Sequence, residues 1–164
     1  GEIVLVIGKG GRRIPEEHAL EHIAGLTIMN EGSARDWMRH GDFNVTQGKN
    51  FESSGSLGPW LVTRDECPPL DELTLTTHVN GELRQESDTR GLRFRFTYLV
   101  TYLSTFMRLT PGDLIATGTP TGTGDEQEPP CYLEPGDDVK ISVSGVGTLQ
   151  NRVEAEQVVG PATS

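Results

Sequence analysis

Glu2 opens a run of β-branched residues, Asp36 sits in a short polar segment, and Lys49 lies in a glycine-rich stretch. Two carboxylates brought together suit a hard cation such as Mg²⁺, which takes oxygen ligands and keeps waters that a substrate can displace. A lysine beside them could hold a substrate carboxylate or stabilise a developing enolate. Each residue also has a plainer explanation, because charged side chains are mostly exposed: Glu2 as a terminal side chain, Asp36 as a charge on a helix face, Lys49 as a solvated loop residue. An acidic chain offers many such combinations, so spacing alone does not choose between them.

Other chemistry has less support. His18, His22, His40 and His78 form no zincin pattern; His18 and His22 share one face of an expected helix, where a solvated face explains them. Gly8-Lys9-Gly10-Gly11 and the run Gly118 to Gly124 match neither a P-loop nor a dinucleotide fingerprint. Cys67 and Cys131 lack the close pairing of a zinc or redox motif and read as free thiols of a reducing cytosol.

Something must hold the three charged residues in place, and 164 residues suffice for one domain with a real core. Apolar residues make up 34% against 20 glycines and 10 prolines, which suits short strands joined by many turns. A net charge of −10 leaves no basic face for phosphates, which argues against nucleic acid and obliges a site for an anionic substrate to bring its own cations. The apolar run Ile3 to Ile7 is too short for a membrane span or a signal-peptide core, so a cytoplasmic protein without membrane contact is expected.

Ile3 to Ile7, closed by Gly8, reads as a strand buried on both faces. Its start almost at residue 1 suggests that the natural chain continues upstream. Pro15-Glu16-Glu17 predicts a helix that Gly25 can end, and Leu26 to Met29 a strand. Ser33 to Met38 reads as a helical turn capped by Ser33 or Asn30, and Gly41 to Gly58 as a long polar loop. Asn80-Gly81 between Leu75–Val79 and Glu82–Ser87 is a strong hairpin signal. Apolar residues from Phe96 to Met107 recur at helical spacing. Thr110-Pro111-Gly112-Asp113 and Glu134-Pro135-Gly136-Asp137 are similar turns, each leading into a strand.

Several blocks, in order, resemble the core of the fumarylacetoacetate hydrolase family from residue 2 to about residue 155. They are Glu2 to Lys9, Asn30 to Asp36, Gly48-Lys49-Asn50-Phe51, Leu57 to Thr63, Val79 to Glu82, and Pro111 to Pro120. The resemblance implies a catalytic domain over residues 2–155 and a tail over 156–164, with a mainly β, α+β fold: a mixed β-sandwich roll with a few helices at its edges. It also implies a homodimer.

Carried over residue by residue, it makes Glu2 the second glutamate of a metal-binding Glu-x-Glu pair whose first member would precede Gly1, and Asp36 the metal-binding aspartate. Lys49 matches the active-site lysine, and Gly118 and Thr119 the turn that meets the substrate carboxylate. The family's general base, a histidine with a glutamate partner on an N-terminal lid, has no counterpart here.

The implied partner is a small 2-oxo acid, a 2,4-dioxo acid or its enol chelated to Mg²⁺ or Mn²⁺, and the implied reaction is carbon–carbon hydrolysis of the acylpyruvate or fumarylpyruvate type. Asp42 to Lys49 leans instead toward the dienoate isomerase and decarboxylase branch of aromatic catabolism. A catalytically incomplete scaffold and a metal-independent carbohydrate- or peptide-binding β-domain are the readings outside enzymology.

Overall fold

The computed structural model describes residues 1–42 and 44–156. Strands β1 (Glu2–Ile7), β2 (Ile23–Glu31), β3 (Gly55–Thr63) and β6 (Leu114–Ala116) form one four-stranded sheet in the order β3-β2-β1-β6. Strands β4 (Thr74–Val79), β5 (Glu82–Asp88), β7 (Asp138–Val143) and β8 (Gly147–Arg152) form a second, in the order β5-β4-β7-β8. Every ladder is antiparallel. The expected β-rich fold with edge helices is present.

β1 is buried on both faces, as its unbroken apolar run requires. Ile3, Leu5 and Ile7 join Leu26, Ile28 and Ile115 of their own sheet and Leu75, Val139, Ile141 and Val143 of the second in one core. Each such side chain contributes about 1.5–3 kcal/mol when fully buried, so this cluster is what fixes β1 and the residue at its head. Helix α3 (Phe96–Phe106) covers one flank through Phe96 and Val100. On the same helix the fully buried Ser104 hydroxyl accepts the Ile14 N–H at 2.9 Å.

The Asn80-Gly81 hairpin forms, with both residues at positive φ (53° and 83°), as a tight turn matched to strand twist demands. The two Pro-Gly-Asp turns share their chemistry too. Asp113 Oδ2 accepts the Thr110 N–H at 2.7 Å and Asp137 Oδ2 the Glu134 N–H at 2.8 Å.

Other expectations need correction. The helix expected from Pro15 is a 3-10 helix, Glu16–His22, and Gly25 lies inside β2. Only Ala19 and His22 are buried in it, three residues apart, a spacing that suits threefold rather than α-helical geometry. β2 runs from residue 23 to residue 31, well past both ends of the expected strand. Helix α1 is Arg35–His40 with Ala34 at its N-cap and no side-chain cap bond, so neither Ser33 nor Asn30 caps it. The expected loop holds helix α2 (Val45–Gly48), capped by Asn44 Oδ1 accepting the Thr46 N–H, and the start of β3. β8, with Leu149 as its buried anchor, carries too few apolar residues to announce itself in sequence. From residue 157 on, the expected tail lies outside the described residues.

Candidate active site

A cleft of about 1020 Å³ opens where the head of β1 and the end of β2 approach the second sheet. Glu2, Glu31 and Lys49 line it together. The β1–β2 register explains why the two glutamates meet. Glu2 pairs with Met29, so Glu31, two residues further along β2, is its diagonal neighbour on the same face.

Lys49 arrives from the other side of the chain. Gly48 packs so tightly on α1 that a Cβ there would lie 2.2 Å from Met38 Cγ, and Gly48 O accepts the Ala34 N–H at 2.8 Å. This close approach seats α2 on α1 and brings the Lys49 ammonium onto the Glu31 carboxylate as an ion pair.

The turn after β6 completes the site. The Thr117 amide and hydroxyl both donate to Ile3 O, at 3.1 and 2.9 Å, which fixes the turn against β1. The Gly118 N–H then donates to Glu2 Oε2 at 2.8 Å. The Thr119 hydroxyl donates to Gly1 O at 2.9 Å and accepts from Gln85 Nε2 at 2.9 Å.

Charge at the site is asymmetric. Glu2 is 5% exposed, and burial, together with a hydrogen bond to the Glu31 carboxylate, pushes its carboxyl up to about 7, against the pull of the Gly118 amide. Burial works to raise the Glu31 carboxyl as well, but the Lys49 ammonium and the hydrogen bond from Glu2 hold it below the ordinary range. Two carboxylates forced together, one of them buried, suit a cation between them.

The structure therefore brings Glu2, Lys49, Gly118 and Thr119 together. Asp36 lines the same cleft but is exposed on α1 and makes no hydrogen bond or ion pair to Glu2, Glu31 or Lys49. Glu31 is the carboxylate that stands beside Glu2, and sequence reasoning missed it because the strand was ended at Met29. Extending the β2 alternation by one step would have found it. Gln85, which ties the Thr119 turn to the second sheet, left no comparable signal.

Among the described residues no histidine lines the cleft, and no three His, Cys, Asp or Glu side chains form a metal-holding group. The chain thus offers an ion two carboxylates, a set that fits a hard cation able to keep several waters. No helix of the described residues is long and apolar enough to cross a membrane.

Comparisons with known proteins place the chain among relatives. Residues 1–154 match the family described as "Fumarylacetoacetate (FAA) hydrolase C-terminal". The chain is 41% identical over 156 residues to a 4-hydroxyphenylacetate degradation bifunctional isomerase/decarboxylase of Salmonella dublin, covering 95% of this chain and 35% of that protein. A fumarylacetoacetate hydrolase from the psychrophile Exiguobacterium antarcticum superposes with a TM-score of 0.91 at 39% identity, over 94% of this chain and 55% of that one. A Pseudomonas aeruginosa fumarylpyruvate hydrolase, solved with Mn²⁺ and pyruvate, superposes with a TM-score of 0.82 at 36% identity, over 94% and 64% of the two chains. The chain spans between a third and two thirds of the length of these relatives. Profile, identity and superposition agree over nearly all of its residues, and the chain belongs to the fumarylacetoacetate hydrolase family.

Proposed function

We propose that this chain is the catalytic core of a divalent-metal-dependent enzyme that hydrolyses a carbon–carbon bond in 2,4-dioxo acids of the acylpyruvate type. The observation that carries the reading is the buried Glu2 carboxyl set diagonally beside Glu31, with Lys49 on the other side of Glu31 and an open cleft in front. Glu2 and Glu31 would hold the ion, with Asp36 as the sequence-based candidate for a further ligand. Bound there, Mg²⁺ or Mn²⁺ would act as a Lewis acid toward the 1-carboxylate and 2-oxygen of the substrate.

In this reading the water oxygen bonds to the acyl carbon as the water gives up a proton, and the C3–C4 bond breaks. Its electron pair passes into the pyruvate enolate, which then takes a proton at C3. Lys49 places a positive charge beside the developing enolate and neutralises Glu31 between turnovers. Gly118 donates to Glu2 and so holds its second oxygen toward the cleft, while Thr119 positions the turn that would meet the substrate carboxylate. Action in the cytoplasm as a homodimer is part of the same proposal; the free thiols of Cys67 and Cys131 suit a reducing compartment.

The 41% identity to an isomerase/decarboxylase favours a second reading, in which the same enolate is reprotonated elsewhere or formed by loss of CO₂. The test is loss of enol absorbance across a panel of acylpyruvates and 2-hydroxy-dienoates with Mn²⁺ or Mg²⁺ and with EDTA, followed by product identification. Metal-dependent turnover with pyruvate as product supports hydrolysis. A rearranged or decarboxylated product moves the assignment to the second reading, and metal-independent or absent turnover overturns both.

A further inference from the structure

Past Gly118 the turn that closes the site has few anchors of its own. Among the described residues, the hydrogen bonds of Thr119, Pro120 and Thr121 have Gln85 and Gly1 as their only partners. Gln85 Nε2 donates to Thr119 Oγ1 at 2.9 Å and to Pro120 O at 2.8 Å. Its Oε1 accepts from Gly1 N at 2.7 Å, and the Thr119 hydroxyl donates to Gly1 O at 2.9 Å. Gln85, Thr119 and Gly1 thus close a ring of hydrogen bonds, and the bond to Pro120 O braces it from outside.

Chemistry fixes which way the amide points. Pro120 O can only accept and Gly1 N here donates, so the nitrogen end faces the turn and the oxygen end faces the head of β1. Gln85 is 4% exposed, and a buried amide is tolerated only when both of its ends are paired. Its own sheet does not supply the partners. Opposite Gln85 in the β4–β5 ladder stands Thr77, whose buried Oγ1 has no hydrogen-bond partner among the described residues. An apolar side chain would serve β5 without this requirement, so the amide is better explained by what it holds than by the strand that carries it.

The ring spans the two halves of the proposed site, but the halves do not depend on it equally. Glu2 is placed by its pairing with Met29 and by the Gly118 N–H at 2.8 Å. Thr117 is tied to Ile3 O. What the ring alone holds is the segment Thr119-Pro120, braced against a strand of the second sheet.

We propose that Gln85 is a positioning residue: through Thr119 and Pro120 it keeps the turn where the substrate carboxylate is received, without itself touching metal or substrate. This rests on the function proposed above. The test compares three variants of the full chain. Gln85→Met keeps the length of the side chain and removes every hydrogen bond. Gln85→Glu keeps an acceptor for Gly1 N but has no donor for Pro120 O. Thr89→Val is the control for stability alone, because it removes a buried hydroxyl just beyond β5 that accepts the Leu73 N–H at 3.1 Å. Calorimetry reads the affinity for Mn²⁺ and then that of the Mn²⁺-loaded chain for pyruvate, and kinetics on an acylpyruvate read KM and kcat.

Gln85→Met and Gln85→Glu should each weaken pyruvate binding and raise KM by about tenfold, the scale of one hydrogen bond to a charged group. Mn²⁺ affinity and kcat should change less than about threefold, the pattern of lost binding that ground state and transition state share. Thr89→Val should lower Tm while leaving pyruvate affinity and KM in place. Equal losses of Mn²⁺ and pyruvate affinity, or pyruvate binding that survives Gln85→Met, overturn the proposal. Pyruvate binding that depends on Gln85 in a chain without turnover would sink the proposed reaction and support Gln85. Turnover with a KM indifferent to Gln85 would do the reverse, and a wild-type chain with neither binding nor turnover would sink both.

Discussion

The Glu2 carboxyl stands across the diagonal of the β1–β2 ladder from Glu31, while Asp36 stands exposed on α1. Metal affinity should follow that geometry. Glu31→Gln removes half of the charged donor set and is expected to weaken Mn²⁺ binding by at least about tenfold, since affinity follows ligand charge count. Asp36→Asn is expected to change it less than about threefold, as an exposed substitution away from the pair. Titration calorimetry with Mn²⁺ on both variants decides the point. The reverse ranking would make Asp36 the stronger ligand and leave Glu31 as a partner of Lys49 only.

Lys49 bridges binding and chemistry. Its removal as Lys49→Met should lower kcat by about a hundredfold or more, the scale for losing one preorganised charge-stabilising group. Lys49→Arg keeps the charge but changes the donor geometry, and is expected to recover only part of the rate. Mn²⁺ affinity of Lys49→Met should hold or rise, because the ion no longer competes with the ammonium for Glu31. A loss confined to KM would assign Lys49 to substrate binding instead of enolate stabilisation.

Acidity gives an independent test that needs no substrate. The Glu2 carboxyl, pushed up from 4.5 to about 7, holds its proton more tightly in the folded chain than in the unfolded one. Between those values the folded state binds more protons, so stability falls as pH rises through that window. Glu31, held low, works in the opposite direction below pH 4.5, so the two effects separate on the pH axis. In EDTA, Tm should therefore drop between pH 5 and pH 7.5, by about 2–4 °C for each kcal/mol lost. Mn²⁺ binding should displace the Glu2 proton and flatten the drop, and Glu2→Gln should abolish it without metal. A Tm that rises through this window in EDTA would contradict a raised Glu2 carboxyl.

Much of this site was legible in the residues, and what was not has a physical reason. Glu2 and Lys49 could be named because the blocks that hold them, Glu2 to Lys9 and Gly48 to Phe51, resemble the family's; their local setting alone left plainer explanations open. Glu31 could not, because its place in the site depends on strand register: it meets Glu2 only through the diagonal of the β1–β2 ladder. Register is a tertiary property, set by which faces bury against the core. The hairpin at Asn80-Gly81 was readable because its turn chemistry is local. The 3-10 helix at Glu16 was not, because its threefold character follows from packing Ala19 and His22.

Gly118 separates backbone conformation from space. Its φ of +99° lies where side-chain-bearing residues are strained, yet a Cβ there would meet nothing within 4 Å. Gly118→Ala thus adds no clash, and its cost should be the conformational one of about 1–3 kcal/mol. Gly112 has φ +94° and equally open surroundings, in the turn before β6, and Gly112→Ala should cost a similar amount. The two variants should part company on activity. Relaxing the backbone at Gly118 withdraws the N–H that holds Glu2 Oε2, so metal-dependent turnover should fall by about tenfold or more, in line with losing a hydrogen bond to a charged group. Gly112→Ala should keep its rate at temperatures below its lowered Tm. Paired measurements of Tm and kcat decide it: equal losses of stability with unequal losses of rate place the Gly118 amide in the site, whereas equal losses of both would make the turn a structural element alone.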